Sequence, residues 1–310
     1  MKGISVVIPV YNEQDNVVEL YNEIRSVMAQ NSINSEIIFV DDGSTDQTGK
    51  RIMQLPVVKY IRMRKNFGQT AALDAGIKEA SFDFIVTMDG DRQNDPADIP
   101  RLLSHLEQNN LDVVSGWRKN RRDSFMKRFV SRVANKLRYL IIHDGIHDSG
   151  CTLKIYRREC FKQISLYGEM HRFIPAVLKI KGYCIDELVV NHRPRIAGTT
   201  KYNWRRTFKG FIDMISVWFW NKYAVKPLHL LGGLGLISIG AGVLTTLYSV
   251  YLFFRGYDMA DTALPILSVF FLLTGIILFV LGLIADMLSK IYYQTTSDRS
   301  YSVKEVIEKK

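Results

Sequence analysis

The chain has 310 residues, 47% of them hydrophobic and 23% charged, and a formal net charge of +10. That length and apolar content support one large domain and something more, and they exclude a disordered chain, a disulfide miniprotein and a collagen-like fibre. Cys151, Cys160 and Cys184 fit neither a paired disulfide framework nor a CxxC zinc site, so reduced, buried thiols are expected.

The positive charge forms one block. Residues 1–117 carry 11 Lys and Arg against 17 Asp and Glu, whereas residues 118–209 carry 22 against 7. Such a block wants an anionic partner: nucleic acid, a phosphorylated ligand or an acidic membrane surface.

Along the chain, residues 4–10, 37–40, 57–63, 84–88 and 113–115 read as apolar strands. Residues 17–28, 70–80 and 99–106 read as amphipathic helices between them. The alternation predicts an α/β fold, a mostly parallel sheet with flanking helices. Residues 1–3 run straight into the first strand without an n-region or cleavage site, so no cleaved leader is expected.

In an open sheet of this kind, ligands bind beyond the carboxyl ends of the strands. IPVYNEQDN at residues 8–16 follows the first strand and VDDGSTD at residues 40–46 follows the second. Asp41 and Asp42 at a strand end can accept hydrogen bonds from a nucleobase and ribose; the plainer alternative is that Asp46 or Ser44 caps the next helix. The fourth strand runs into TMDGDRQNDP at residues 87–96. Asp89 and Asp91, two apart in an extended segment, point the same way, and Gly90 removes bulk between them. Two hard oxygen donors with open positions suit Mg2+ or Mn2+ bridging to a diphosphate. His105, His143, His147, His192 and His229 form no metal-ligand pattern, and His171 reads as structural.

Residues 228–254 and 264–288 are each long and apolar enough to cross a bilayer core of about 30 Å. The link at 255–263 holds one basic residue; Lys222 and Lys226 precede the first run, and Lys290, Arg299, Lys304, Lys309 and Lys310 follow the second. The positive-inside rule then places both ends in the cytoplasm and the link outside, in a multi-pass protein of the cell's inner (plasma) membrane. Just before the first run, Trp204, Phe208, Phe211, Ile212, Ile215, Trp218 and Phe219 line one side of a helical pattern and Arg205, Arg206, Lys209 and Asp213 the other. A core-facing helix looks similar, but beside a hairpin this pattern suits a helix lying among membrane lipid headgroups. The expected organisation is a cytoplasmic catalytic domain at 1–202, an interfacial helix at 203–227, a transmembrane hairpin at 228–288 and a cytoplasmic tail at 289–310.

The succession IPVYNE, DDGSTD, NFGQTAALDAG, MDGDRQNDP, DSGCTLKIYRR and HRPRIAGTTKY, across residues 3–202, resembles the family 2 glycosyltransferases with a GT-A fold. Within them it is most similar to the polyprenyl phosphate sugar transferases, the group of dolichol phosphate mannose synthase and the bactoprenol glucosyltransferases. The resemblance implies a Rossmann-like, mostly parallel GT-A sheet followed by the interfacial helix and the two-helix hairpin. It implies that Pro9, Tyr11, Glu13, Asp41 and Asp42 line the nucleotide pocket and that Asp89, Asp91 and Gln93 hold the metal and diphosphate. Arg118 and Arg132, the latter in SRVAN, would meet the acceptor phosphate; Asp148 in DSGC would face sugar and acceptor; Arg195 and Lys201 in RIAGTTK would close over the phosphates. Arg92 departs from the pattern, standing where many relatives carry Leu or Gly.

The implied activity is inverting, metal-dependent transfer of a hexose, with a UDP-hexose favoured, to polyprenyl (undecaprenyl) phosphate at the cytoplasmic face, for glycan or lipid modification. The alternatives are a GDP-mannose-dependent synthase and a catalytically silent nucleotide-sugar-binding scaffold. The intact set of Asp89, Asp91, Arg132, Asp148 and Arg195 favours an enzyme. Expected partners are the nucleotide sugar, polyprenyl phosphate and membrane lipids, with a homo-oligomer and a flippase as further ones, and no nucleic acid.

Overall fold

The first strand, β1 (Ile4–Val10), organises the sheet because both of its faces are covered. Ile4, Val6, Ile8 and Val10 enter one core beside Val17, Leu20, Ile24 and Met28 of α1 (Val17–Gln30), while Val7 enters a second core on the opposite face. A strand covered on both sides reads as an almost unbroken apolar run, as ISVVIPV does. Its one polar residue, Ser5, is buried and donates to Glu36 Oε1 at 2.6 Å.

The computed structural model describes residues 3–119, 145–162, 164, 166, 168, 170–194, 219, 222–223 and 226–295. The chain divides into two units, Met1–Val217 and Trp218–Lys310. In the first unit β1 is followed by β2 (Ser35–Asp41), α2 (Thr48–Met53), β3 (Lys59–Arg62), α3 (Gln69–Lys78), β4 (Phe84–Thr87), α4 (Ile99–Gln108) and β5 (Val113–Trp117). Then come β6 (Lys154–Arg157), α5 (Ile174–Ile180) and β7 (Ile185–Val189). The sheet order is β3-β2-β1-β4-β6-β5-β7. All pairings are parallel except those of β6, which runs antiparallel to both β4 and β5. This is the expected mostly parallel α/β sheet with flanking helices.

Two local differences have physical reasons. The strand expected at 57–63 begins only at Lys59, because Val57 has φ 49 and so leaves the extended region directly after Pro56. All three described cysteines are free, but Cys184, just before edge strand β7, is exposed and corrects the expectation that all are buried.

The second unit contains α6 (Pro227–Phe254) and α7 (Leu264–Thr295), both long and apolar enough to cross a membrane. The two helices touch through small residues. A Cβ on Gly235 would lie 2.7 Å from the carbonyl oxygen of Gly275, so backbone packs directly on backbone. Nearby, Ser238 Oγ donates to Phe271 O at 2.8 Å and Ser268 Oγ to Thr245 Oγ1 at 3.0 Å. Leu236, Ile237, Leu244, Phe254, Ile266 and Leu288 face outward, as a lipid-facing surface requires. The one acid within the second apolar run, Asp286, pairs with Lys290 at 2.7 Å. Most of the expected interfacial helix lies outside the described residues.

Candidate active site

Because β1, β2 and β4 are parallel, the segments that leave them emerge on one rim, and Asp41 sits opposite Val10 in the register. The loops after β1 and β2 are laced together there. Asn12, at φ 54, accepts from Thr45 N at 2.8 Å and donates its own N–H to Ser44 Oγ at 3.0 Å. Glu13 N donates to Thr48 Oγ1 at 2.9 Å. Tyr11 and Glu13 lie in this lacework and Pro9 just before it, all partly buried.

The acidic pair after β2 is buried and used internally. Asp41 accepts from Ser44 N at 2.7 Å and from Tyr60 Oη at 2.8 Å, and burial together with that carboxylate pushes the Tyr60 phenol well above its usual range. Asp42 accepts from Phe67 N at 2.7 Å and Gly68 N at 2.9 Å, so it holds the turn that opens α3. The cap position of α2 is Gln47, so neither Asp46 nor Ser44 is its N-cap, and Asp46 accepts from Thr48 N at 2.9 Å from one residue further back. Burial opposes its charge, but the Thr48 hydrogen bonds prevail and hold its carboxyl below the usual range.

The segment leaving β4 carries Asp89 and Asp91. Gly90 is required by close approach, since a Cβ there would sit 2.7 Å from Val10 Cγ1. Burial, and then the charge of Asp91, push the Asp89 carboxyl above the usual carboxylate range. Two carboxylates that repel each other at a strand end fit a divalent cation, and Mg2+ or Mn2+ is typically held by one or two carboxylates plus substrate phosphates. Among the described residues, no group of three or more His, Cys, Asp or Glu is placed to hold a metal ion by itself. Gln69, the first residue of α3, donates to Asp89 Oδ1 at 2.7 Å. Gln93 N donates to Asp91 Oδ1 at 3.1 Å.

The third component is the turn before β6. Because β6 runs antiparallel, its first residue, Lys154, lies beside both Thr87 and Ser115 at the same rim. The preceding residues therefore face the end of β5. Arg118 grips Asp148 with Nε to Oδ2 at 2.7 Å and Nη2 to Oδ1 at 3.0 Å. Burial opposes the guanidinium charge, but Asp148 more than offsets this and raises the Arg118 pKa. Glu187 on β7 holds the turn from behind, accepting from Asp148 N at 3.1 Å and His147 N at 2.8 Å. The Lys154 ammonium is buried, donates to Ser149 O at 3.3 Å and to Cys151 O, and is held by burial below the usual lysine range.

Pro9, Tyr11, Glu13, Asp41, Asp42, Asp89, Asp91, Gln93, Arg118 and Asp148 thus occupy the rim and the loops around it. Asp89 interacts electrostatically with both Asp91 and Arg118. Arg132, Arg195 and Lys201 lie outside the described residues. Sequence reasoning missed Gln69, Lys154 and Glu187. The first two stand in the motifs NFGQTAALDAG and DSGCTLKIYRR, so their signal was present without a role attached.

Comparison with known proteins identifies the family and the fold. Residues 5–165 match "Glycosyl transferase family 2", and residues 226–291 match "GtrB C-terminal hairpin". The chain is 39% identical to the dodecaprenyl-phosphate galacturonate synthase of Rhizobium johnstonii, over 98% of this chain and 93% of that one. It is 32% identical to the undecaprenyl-phosphate 4-deoxy-4-formamido-L-arabinose transferase of Salmonella choleraesuis, over 99% and 94%. Among solved structures it resembles the glucosyl-3-phosphoglycerate synthase of Mycobacterium tuberculosis in complex with Mn2+, UDP and glucosyl-3-phosphoglycerate. That match has a TM-score of 0.54 at 18% identity and covers 71% of this chain and 80% of that one. The mannosyl-3-phosphoglycerate synthase of Rubrobacter xylanophilus has a TM-score of 0.56 at 18% identity, over 70% and 73%. At these identities the two structures speak for the fold.

Proposed function

The chain belongs to glycosyltransferase family 2, among the polyprenyl phosphate sugar transferases, and from that membership we propose that it moves a hexose or hexose-derived sugar from a UDP-sugar to polyprenyl phosphate at the cytoplasmic membrane face. In this reading residues 1–202 perform the transfer, 203–227 lie on the membrane, 228–288 span it and 289–310 return to the cytoplasm. The observation that carries the reading is that Asp89, after β4, lies within electrostatic reach of Arg118, which itself grips Asp148 at the same rim of the sheet.

The proposed chemistry needs little beyond positioning. A phosphate monoester with a second pKa of about 6 is ionised near neutral pH, so its oxygen attacks the anomeric carbon without first surrendering a proton to a strong base. As that bond forms, the bond from the anomeric carbon to the nucleotide's terminal phosphate breaks, and the nucleoside diphosphate leaves with the electron pair. Displacement in one step inverts the anomeric centre. A divalent cation at Asp89 and Asp91, with Gln93, would neutralise the charge that develops on the departing diphosphate. Pro9, Tyr11, Glu13, Asp41 and Asp42 hold or shape the nucleotide pocket. Both oxygens of Asp148 already accept from Arg118, which suits orientation of sugar and acceptor better than proton removal. Arg118 and Arg132 bring positive charge to the acceptor phosphate, and Arg195 and Lys201 to the diphosphate.

The test is direct. Membranes containing the protein are incubated with labelled UDP-glucose, UDP-galactose, UDP-galacturonate and GDP-mannose, and the lipid fraction is extracted. Label in a polyprenyl phosphate sugar from a UDP donor supports the reading. Label from GDP-mannose alone overturns the nucleotide, and no lipid-linked label from any sugar overturns the activity.

A further inference from the structure

Arg92 lies between Asp91 and Gln93 with φ 61, a left-handed conformation that side-chain-bearing residues rarely adopt. Its guanidinium is anchored on α1: Nη2 donates to Glu23 Oε1 at 2.6 Å. The other oxygen of the same carboxylate, Oε2, accepts from Arg193 Nη1 at 2.5 Å, and Arg193 Nη2 reaches Asp95 Oδ1 at 2.7 Å. The backbone follows the same seam. Arg193 N donates to Gln93 O at 2.9 Å, and Asn94 pairs with His192 in an antiparallel bridge. Asn191 adds Nδ2 to Asp95 Oδ2 at 3.0 Å and its own N–H to Asp98 Oδ2 at 2.7 Å. Burial works against the Glu23 charge, but the hydrogen bonds from Arg92 and Arg193 prevail and hold its carboxyl below the usual range. One carboxylate on a helix thereby ties the segment at 89–95 to the segment at 191–194.

We propose that Glu23 is a positioning residue of the transfer reaction: through Arg92 and Arg193 it fixes the bend of the metal loop so that Asp89 and Asp91 are presented together. The bend needs a positive φ at residue 92. Glycine takes that conformation without an anchor, whereas arginine is held in it by the bond to Glu23. The proposal rests on the reading of Asp89 and Asp91 as the metal and diphosphate site.

The experiment uses the full chain in detergent and compares wild type, Glu23→Gln and the double variant Glu23→Gln/Arg92→Gly. Amide hydrogen exchange is followed without metal in peptides spanning 89–95 and 191–194, with a β1 peptide as the internal reference for folding. Calorimetry measures UDP binding with and without Mn2+. Glu23→Gln is expected to speed exchange in both segments and to weaken Mn2+-dependent UDP binding by about tenfold, with β1 exchange unchanged. The glycine is expected to restore most of that binding, a rescue that simple destabilisation does not produce. Unchanged exchange at 89–95 and 191–194 would overturn the clamp. Faster exchange with unaltered Mn2+-dependent binding, or absence of rescue by glycine, would reduce Glu23 to a packing role and overturn the positioning claim. If wild type binds UDP equally with and without Mn2+, the metal reading fails, while the exchange arm still judges the clamp.

Discussion

Arg118 and Asp148 meet through two parallel hydrogen bonds, at 2.7 and 3.0 Å, with their side chains only 12% and 7% exposed. Removing one partner of a buried pair leaves an uncompensated charge and typically costs about 3–5 kcal/mol. Arg118→Gln and Asp148→Asn are each expected to destabilise the first unit by about that amount, and the double variant by less than the sum. Denaturant unfolding of the four proteins checks this. Transfer should fall by about a hundredfold or more in each variant and should not recover in the double variant, because the charge proposed to meet the acceptor phosphate is missing there too.

The carboxylates after β4 make a second expectation. Asp91→Asn should abolish transfer, and a chelator should silence the wild type until Mg2+ or Mn2+ is returned. Full turnover in excess chelator would exclude a metal role for Asp89 and Asp91.

Acid should weaken the fold in a way that identifies Glu23 and Asp46. Both carboxyls are held below their usual ranges in the folded chain, so the unfolded chain binds their protons more readily. The stability they contribute is complete above their unfolded pKa values of about 4 and is lost as pH falls through the lower folded values. Denaturation midpoints measured from pH 6 to pH 3 should fall steeply at the acid end. Glu23→Gln should show a shallower fall over the same range.

Topology can be read from the link between α6 and α7, where Asp258 accepts from Ala260 N at 2.9 Å in a short turn. A unique cysteine placed between residues 257 and 261 of a cysteine-free variant should react in intact cells with a membrane-impermeant reagent. Protection there, with labelling only after lysis, would reverse the orientation.

How much of this was legible in sequence depends on whether a residue's task is local. The strands before Asp41 and Asp89 announced themselves as apolar runs ending in acidic turns, so the rim and the carboxylates on it followed. β6 did not announce itself: KIYR is four residues with a cation at each end, and Lys154 is buried where a central strand normally carries an apolar side chain. Arg118 and Asp148 were each singled out, but nothing in the spacing of positions 30 apart indicates that they bond to one another. Glu23 was invisible for a different reason. On an amphipathic helix an acid reads as part of the solvated face, and only the fold brings Arg92 and Arg193 to it.

The insertion of β6 between β4 and β5 also leads us to expect an order of assembly during synthesis. Every strand partner of β3, β2 and β1 is encoded by Thr87, whereas β4 waits for β6 on its second edge and both neighbours of β5 are encoded after it, β7 ending at Val189. At about 5–20 residues per second, a ribosome takes roughly 5 to 20 s to cover that interval. For that time the four-stranded half of the sheet would stand with the edge of β4 open, and an open edge invites pairing with other chains. Stalled nascent chains exposing residues only as far as β5 should resist protease over β1 to β4 yet be cut at β5, with protection of β5 arriving once β7 has emerged. On the proposed roles, the half of the sheet that carries Asp41 would then exist before the half that carries Arg118 and Asp148.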